Sequence, residues 1–180
     1  YYVFQSYWTE APMVHIYGHS WATRWGKENE PKEILVYSNC PAVELFVNGI
    51  SQGIKQRNSQ DFPATGLRWN CILHEGENTV KAIAVKGKGK ASLKDAITDE
   101  ITVSYQTAQW ETPQQLKLKT YPDQKDIVWV EAQLTDNKGI PCLDAANVIS
   151  FEAAGDGELL QNLGTSTGSR KVQAYNGKAA

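Results

Sequence analysis

Hydrophobic and polar residues alternate with a period of two along residues 33–56, the clearest pattern in the chain. Residues 33–38 form a first alternating run, which Asn39-Cys40-Pro41 interrupts. In the second run Val43, Leu45 and Val47 share one face, and the positions between them form a more polar face. This period is typical of β-strands that cover a core with one face and leave the other face more exposed to solvent. The pattern therefore predicts consecutive short strands.

A turn signal follows the second run directly. Asn48-Gly49 lies between Val47 and Ile50, and this dipeptide tolerates the positive φ angles of a type I′ turn. Gly53 follows shortly afterwards, and a glycine inside a strand favours a bulge or a close approach of two backbones. We therefore expect an antiparallel meander with a hairpin at Asn48-Gly49.

Turn-forming residues separate the other alternating runs of the chain. These runs are expected as strands at 13–21, 67–74, 79–85, 101–105, 115–121, 127–134, 148–152, 157–163 and 171–175. Residues 25–31 and 87–90 are expected as loops, and residues 1–8 have the spacing of a helix. Asn176-Gly177 is a second hairpin signal, whose return strand is missing or barely begun.

Short strands with a turn signal every ~8–12 residues are the signature of an immunoglobulin-like sandwich. The predicted fold class is all-β, with two tandem immunoglobulin-like β-sandwich domains. The first spans 12–106 and the second, truncated at its C-terminus, spans 114–180. A linker at 107–113, which contains Pro113, separates them.

Composition narrows the classes of function. The chain has 180 residues, of which 41% are hydrophobic, and a net charge of −2. That hydrophobic content is enough for a packed core. The scattered basic residues argue against nucleic acid or an anionic membrane as a partner. No apolar run approaches the roughly 20 residues of a membrane helix.

The cysteines suggest neither a disulfide scaffold nor a metal site. Cys40, Cys71 and Cys142 are too few for the first and lack the ligand spacing of the second. Free buried thiols are the expectation, with a Cys40–Cys71 bridge as the alternative. No cofactor is expected.

One string in the meander resembles a known family. VYSNCPAVELFVNGISQG, at residues 36–53, is similar to the non-catalytic β-sandwich that follows the catalytic barrel of family 2 glycoside hydrolases, the β-galactosidase-like group. Residues 1–17 resemble the last barrel helix and first sandwich strand of those enzymes, and 130–164 resemble a further immunoglobulin-like domain. The resemblance assigns residues 1–11 to the tail of that barrel helix.

The resemblance implies an accessory role. This region would support the catalytic barrel of the parent chain in the hydrolysis of O-glycosidic bonds, and this piece alone would be inactive. The two catalytic glutamates would lie outside it, so no catalytic residue is assigned here. The parent would be periplasmic or secreted, with a homo-oligomer as one option.

The aromatic residues after the first predicted strand are the candidate site. Tyr17, His19, Trp21 and Trp25 would form either a seam with the missing barrel or a platform on which a sugar stacks. Our hypothesis is that they contact the barrel and at most line the outer rim of its substrate cleft.

Other candidates have plainer interpretations. Asn29-Glu30 has the residue order of a family 2 acid/base catalyst but lies in a charged loop, and a retaining glycosidase needs a second carboxylate about 5 Å away. His15, His19 and His74 lack marked partner ligands, so no metal is predicted. Trp69 and Trp129 are expected in the cores. Residues 136–139 are expected to form a plain turn rather than half of a calcium loop.

Two other functions stay open. A carbohydrate-binding module that anchors an enzyme to polysaccharide would expose a coplanar aromatic pair. An immunoglobulin-like adhesion protein of the cell surface would be supported by near-identical repeats, which the two halves do not share.

Overall fold

The computed structural model describes residues 1–57, 66–85, 97–122, 127–160 and 170–180. The described residues form thirteen strands and one short helix, which confirms the all-β class. The chain divides into two compact units, Tyr1–Thr107 and Ala108–Ala180. The loop expected at 87–90 lies outside the described residues. Of the strand expected at 157–163, residues 157–160 are described and are not in a strand.

The first unit contains one helix and eight strands. They are α1 (Tyr2–Trp8), β1 (Val14–Ile16), β2 (Thr23–Trp25), β3 (Pro31–Ser38), β4 (Ala42–Val47), β5 (Ile50–Gln56), β6 (Leu67–Ile72), β7 (Gly76–Val85) and β8 (Thr98–Gln106). One sheet has the order β1-β3-β6, and the other has the order β2-β8-β7-β4-β5.

The two sheets of the first unit share one core. Ile34 and Trp69 enter it from the three-stranded sheet, and Leu45, Val80 and Tyr105 enter it from the five-stranded sheet. Two sheets packed face to face on a common core form a sandwich. Trp69 is 3% exposed, as predicted, and its indole N–H donates to the carbonyl oxygen of Gly53 at 3.1 Å.

The predicted hairpin is present. Asn48 and Gly49 have φ angles of 50° and 78°, the positive values that a type I′ turn requires. Further along β5, the register against β4 shifts between Glu44 and Phe46, opposite Gly53, whose φ is 91°. The glycine therefore marks a bulge, as the sequence indicated.

The second face of β4 is more exposed than the core face at Phe46, as predicted, but not at Glu44. Glu44 on that face is only 8% exposed, and its carboxylate accepts a hydrogen bond from the hydroxyl of Ser51 at 2.7 Å. The reason is position, because β4 pairs with β5 on one side and β7 on the other. Period-two alternation does not show whether a strand is central or at an edge.

The second unit is smaller and has five strands. They are β9 (Gln115–Pro122), β10 (Val128–Thr135), β11 (Val148–Ser150), β12 (Lys171–Gln173) and β13 (Lys178–Ala179). Antiparallel sheets of order β13-β10-β9 and β11-β12 surround a core that includes Leu134, Cys142 and Ile149. Asn176-Gly177 turns the chain into β13, so the return strand exists but has two residues.

The prediction for Trp129 is wrong. Its side chain lies on β10 and is 56% exposed, and every residue of its partner strand β9 is exposed as well. The alternating pattern identified the strands, but it could not show which face another layer covers.

The segment 136–139 is a turn, as expected, because the buried carboxylate of Asp136 accepts hydrogen bonds from the backbone N–H groups of Lys138 and Ile140, both at 2.9 Å.

All three cysteines are buried with free thiols. Burial raises the pKa of Cys71 to about 11. In the described part of the chain, no helix has the length and apolar character needed to cross a membrane.

Candidate functional site

The segment after β1 is a turn rather than the long strand predicted for 13–21. β1 ends at Ile16, and Gly18 has a φ of 108°, a value that residues other than glycine rarely adopt. The backbone N–H of Trp21 donates to the carbonyl oxygen of Gly18 at 2.8 Å and closes the turn. Because the turn breaks the alternation, His15, His19 and Trp21 do not share one strand face.

Strand β2 holds the next part of the site. Thr23–Trp25 pairs in parallel with the end of β8, with Trp25 opposite Gln106. The sequence placed Trp25 in a loop, and this was wrong because the strand has only three residues and pairs with a segment about 80 positions away. Such a short strand carries no periodic signal of its own.

A groove of about 640 Å³ lies beside this turn and β2. Its aromatic side chains are those of Tyr17, Trp21, Trp25 and Tyr37. Tyr17 is 49% exposed and Trp21 is 37% exposed. The rings of Tyr17 and Tyr37 meet edge to face, with centroids 6.3 Å apart and 81° between their planes. We call this feature the aromatic groove.

Charged side chains complete the lining of the aromatic groove. They belong to Arg24, Lys32, Glu33 and Arg68. Arg68 forms an ion pair with Glu33, and Lys32 forms one with Glu30 at 3.1 Å. The half-buried Arg24 instead donates to two backbone carbonyl oxygens, those of Glu33 and Tyr17, both at 3.4 Å.

The sequence predicts three of the four aromatic side chains of the groove, those of Tyr17, Trp21 and Trp25, but not its charged side chains. The alternating pattern identifies Tyr37 only as a strand residue. Arg24 and Arg68 gave no signal, because their approach to the groove depends on how β2, β3 and β6 are placed. The assignment of the aromatic residues to a substrate rim or a barrel seam stays a prediction.

Comparisons with known proteins give the same family as the sequence motif. A family model described as a domain of unknown function, DUF4982, matches residues 29–92. The chain is 57% identical to a β-glucuronidase of Parabacteroides merdae, with a TM-score of 0.86. The match covers 99% of this chain and 22% of that one. For β-glucuronidase 3 of Bacteroides uniformis the identity is 54%, the TM-score is 0.83 and the two coverages are 99% and 22%.

A curated relative points the same way. The chain is 32% identical to a β-galactosidase of Bacteroides ovatus over 157 residues, which is 87% of this chain and 17% of that protein. The chain belongs to the β-sandwich region of family 2 glycoside hydrolases. It spans only about a fifth of the length of the curated relatives it matches, at 21% and 17% of the first two.

Asn29-Glu30, which has the residue order of a family 2 acid/base catalyst, serves the local loop. Asn29 has a φ of 58°, and the carboxylate of Glu30 accepts a hydrogen bond from the backbone N–H of Lys27 at 2.7 Å. With the ion pair to Lys32, these contacts hold Glu30 in a loop between two sandwich strands. Together they lower the pKa of Glu30, the hydrogen bond to the Lys27 backbone most strongly. This favours a carboxylate that stays charged over a proton donor.

His19 lies outside the aromatic groove. A ring nitrogen, Nε2, is 2.7 Å from Oδ2 of Asp99, and Nδ1 of His15 is 3.6 Å from the same oxygen. The backbone N–H of Ile16 donates to that oxygen at 2.6 Å. Asp99 therefore ties the turn after β1 to β8. No pattern in the sequence predicts this contact across 80 positions.

The ligand atoms of His15, His19 and Asp99 lie within 4.8 Å of one another, a spacing that suits a metal ion. The two imidazole rings, however, are stacked with centroids 4.7 Å apart and 11° between their planes. The lone pair of a ring nitrogen lies in the plane of its own ring, so parallel stacked rings do not direct two lone pairs at one ion. Together with the hydrogen bonds to Asp99, this geometry favours a hydrogen-bonded cluster. His74, the third candidate, is not part of it.

Proposed function

We propose that this chain is a non-catalytic β-sandwich region that supports the catalytic domain of a family 2 glycoside hydrolase and borders its substrate cleft with the aromatic groove. One observation carries the proposal. The turn after β1 and strand β2 bring Tyr17, Trp21 and Trp25 into one half-exposed groove. Aromatic faces offer flat apolar area to the C–H faces of a pyranose at low entropic cost.

The relatives favour a β-glucuronide as the substrate of the whole enzyme. The solved structures with 57% and 54% identity carry the name β-glucuronidase, whereas the relative named β-galactosidase is 32% identical. We therefore propose β-glucuronide hydrolysis in place of the β-galactosidase activity that the sequence motif suggested. A periplasmic or secreted location and a homo-oligomeric enzyme remain proposals by family resemblance.

A carbohydrate-binding module is the second candidate. The exposure of Tyr17 and Trp21 favours it, because a module that binds polysaccharide presents its rings to solvent. The ring arrangement favours the cleft-bordering role instead. Tyr17 and Tyr37 meet at 81°, which does not make the flat, coplanar surface on which an extended polysaccharide stacks.

The test is turnover by the intact enzyme that contains this chain. We expect kcat/KM for 4-nitrophenyl β-D-glucuronide to exceed that for 4-nitrophenyl β-D-galactoside by at least about tenfold, the effect of roughly 1.4 kcal/mol of selective binding. A preference for the galactoside would overturn the substrate assignment. Hydrolysis of either compound by residues 1–180 alone would overturn the non-catalytic role.

A further inference from the structure

We propose that the aromatic groove binds a uronate sugar whose carboxylate pairs with the guanidinium of Arg24. This rests on the proposed function, because the groove would then select an acidic sugar next to the one that the enzyme cleaves. The occupant follows from charge, from ring geometry and from the way in which the turn after β1 holds Arg24.

The charges around the groove are not balanced. Two of its three cations are matched, since Lys32 pairs with Glu30 and Arg68 pairs with Glu33. The ion pairs formed among the described residues include none to Arg24. One positive charge in the groove therefore has no carboxylate partner within the described parts of this chain.

The environment of Arg24 suits recognition of a carboxylate. Its contacts to backbone carbonyl oxygens are long, at 3.4 Å, and engage one N–H on each of Nη1 and Nη2. Burial lowers the pKa of Arg24, but an arginine remains charged at neutral pH. A half-buried guanidinium with free N–H donors forms bidentate hydrogen bonds with carboxylates, and these are stronger than the same bonds in water.

The fold makes room for this guanidinium. A Cβ added to Gly18 would lie 2.9 Å from Nη2 of Arg24, so the missing side chain is what lets the arginine lie against the turn. The same turn places Tyr17 and Trp21 at the groove. One loop thus brings together a charge and two flat apolar surfaces.

A uronate matches this combination better than other anions. Its pyranose C–H faces pack against aromatic rings, and it carries a single carboxylate on the edge of the ring. A phosphate would match the charge but leave the aromatic side chains without an apolar partner. A neutral sugar would leave Arg24 unpaired. The groove volume of about 640 Å³ is within the range of small-ligand sites, roughly 300–1,000 Å³.

The experiment compares acidic sugars with their neutral methyl esters. Trigalacturonate and a hyaluronan pentasaccharide with N-acetylglucosamine at its non-reducing end, neither of which ends in a β-glucuronide, would be titrated calorimetrically into the intact enzyme, each beside its methyl ester. The ester keeps the sugar and removes the charge. The variants are Arg24→Gln and, as a matched control, Arg57→Gln. Arg57 is a half-buried arginine outside the groove, stacked 4.8 Å above the ring of Tyr7.

The wild-type enzyme should bind at least one acid about tenfold more tightly than its ester, the usual effect of a hydrogen bond to a charged group. Arg24→Gln should remove this preference, and Arg57→Gln should retain it. Equal binding of acid and ester, no binding of either, or a preference that survives Arg24→Gln would overturn the inference. If Arg24→Gln failed to fold and the wild type showed no acid preference, the inference would also be overturned. Arg24 would then pair with a carboxylate elsewhere in the enzyme. Binding is measured without turnover, so these outcomes are separate from the test of the proposed function.

Discussion

A side-chain carbon on Gly18 would lie 2.9 Å from Nη2 of Arg24. The turn after β1 and the arginine of β2 are therefore built around each other. Gly18 supplies both the positive φ of the turn and the space for the guanidinium. This relationship connects the backbone of the first unit to the chemistry of the aromatic groove.

The first prediction separates these two roles of Gly18. Gly18→Ala should cost roughly 1–2 kcal/mol in the free energy of unfolding, because an L-residue is strained at positive φ. Gly76→Ala is the matched control, since Gly76 has a φ of 88° and nothing within 4 Å of an added Cβ. Denaturant unfolding should show similar losses for both. Only Gly18→Ala should weaken the preference for an acidic sugar, and an equal effect of the two variants on binding would refute the link to Arg24.

The second prediction concerns the buried amide of Asn78. Its side chain is fully buried, accepts a hydrogen bond from the backbone N–H of His74 at 2.9 Å and donates to the His74 carbonyl oxygen at 2.7 Å. It also accepts a hydrogen bond from the side chain of Asn48 at 3.0 Å. Asn78→Ala should cost about 3 kcal/mol, because several buried backbone groups lose their partners together.

Asn48→Gly is the comparison for Asn78→Ala. Glycine keeps the positive φ of the hairpin and removes the side-chain contacts, so the loss should be near 1 kcal/mol. Denaturant unfolding of both variants measures the difference. If Asn78→Ala lost no more free energy of unfolding than Asn48→Gly, the hydrogen bonds of Asn78 to His74 would not contribute the predicted stability.

The third prediction is a pH dependence that originates at His15. Burial lowers the pKa of His15, and the nearby His19 acts in the same direction, while the carboxylate of Asp99 opposes them. Tyr2 stacks on the other side of the ring, with centroids 3.4 Å apart. As the pH falls below about 6.5, the unfolded chain therefore takes up a proton on His15 before the folded chain does, and stability decreases.

Thermal midpoints between pH 7.5 and 5.5 test this dependence. The wild-type protein should lose more stability over the interval than His15→Gln, which cannot be protonated. His74→Gln changes an exposed histidine and should keep the wild-type slope. A wild-type slope in His15→Gln would show that other groups control the pH response.

Local signals account for the part of the fold that the sequence predicted well. Asn48-Gly49 and Gly53 specify a hairpin and a bulge through backbone preferences that need no distant partner. The buried face of β3 and the burial of Trp69 follow from alternation alone. These features depend on neighbours within a few positions, which a sequence displays directly.

Distant contacts explain what the sequence did not predict. β2 exists because it pairs with the end of β8. His19 lies outside the groove because its ring contacts Asp99, which is 80 positions away in the chain. Arg24 is a candidate binding residue only because the fold shows that no carboxylate among the described residues pairs with it. Trp129 was misassigned because alternation does not show what covers a face. The aromatic residues were thus identifiable by type, whereas their charged neighbours required the fold.

The most direct test of the cleft-bordering role is the kinetics of Trp21→Ala in the intact enzyme on substrates of two sizes. We expect kcat/KM for a glucuronide-terminated oligosaccharide to fall about three- to tenfold, as the loss of one aromatic packing surface predicts. If the groove lies at the rim of the cleft, 4-nitrophenyl β-D-glucuronide is too short to contact it, so the value for this substrate should stay unchanged. Trp129→Ala, which removes an exposed tryptophan outside the groove, should change neither value. Equal losses on both substrates, or no loss on either, would contradict a groove at the rim of the substrate cleft.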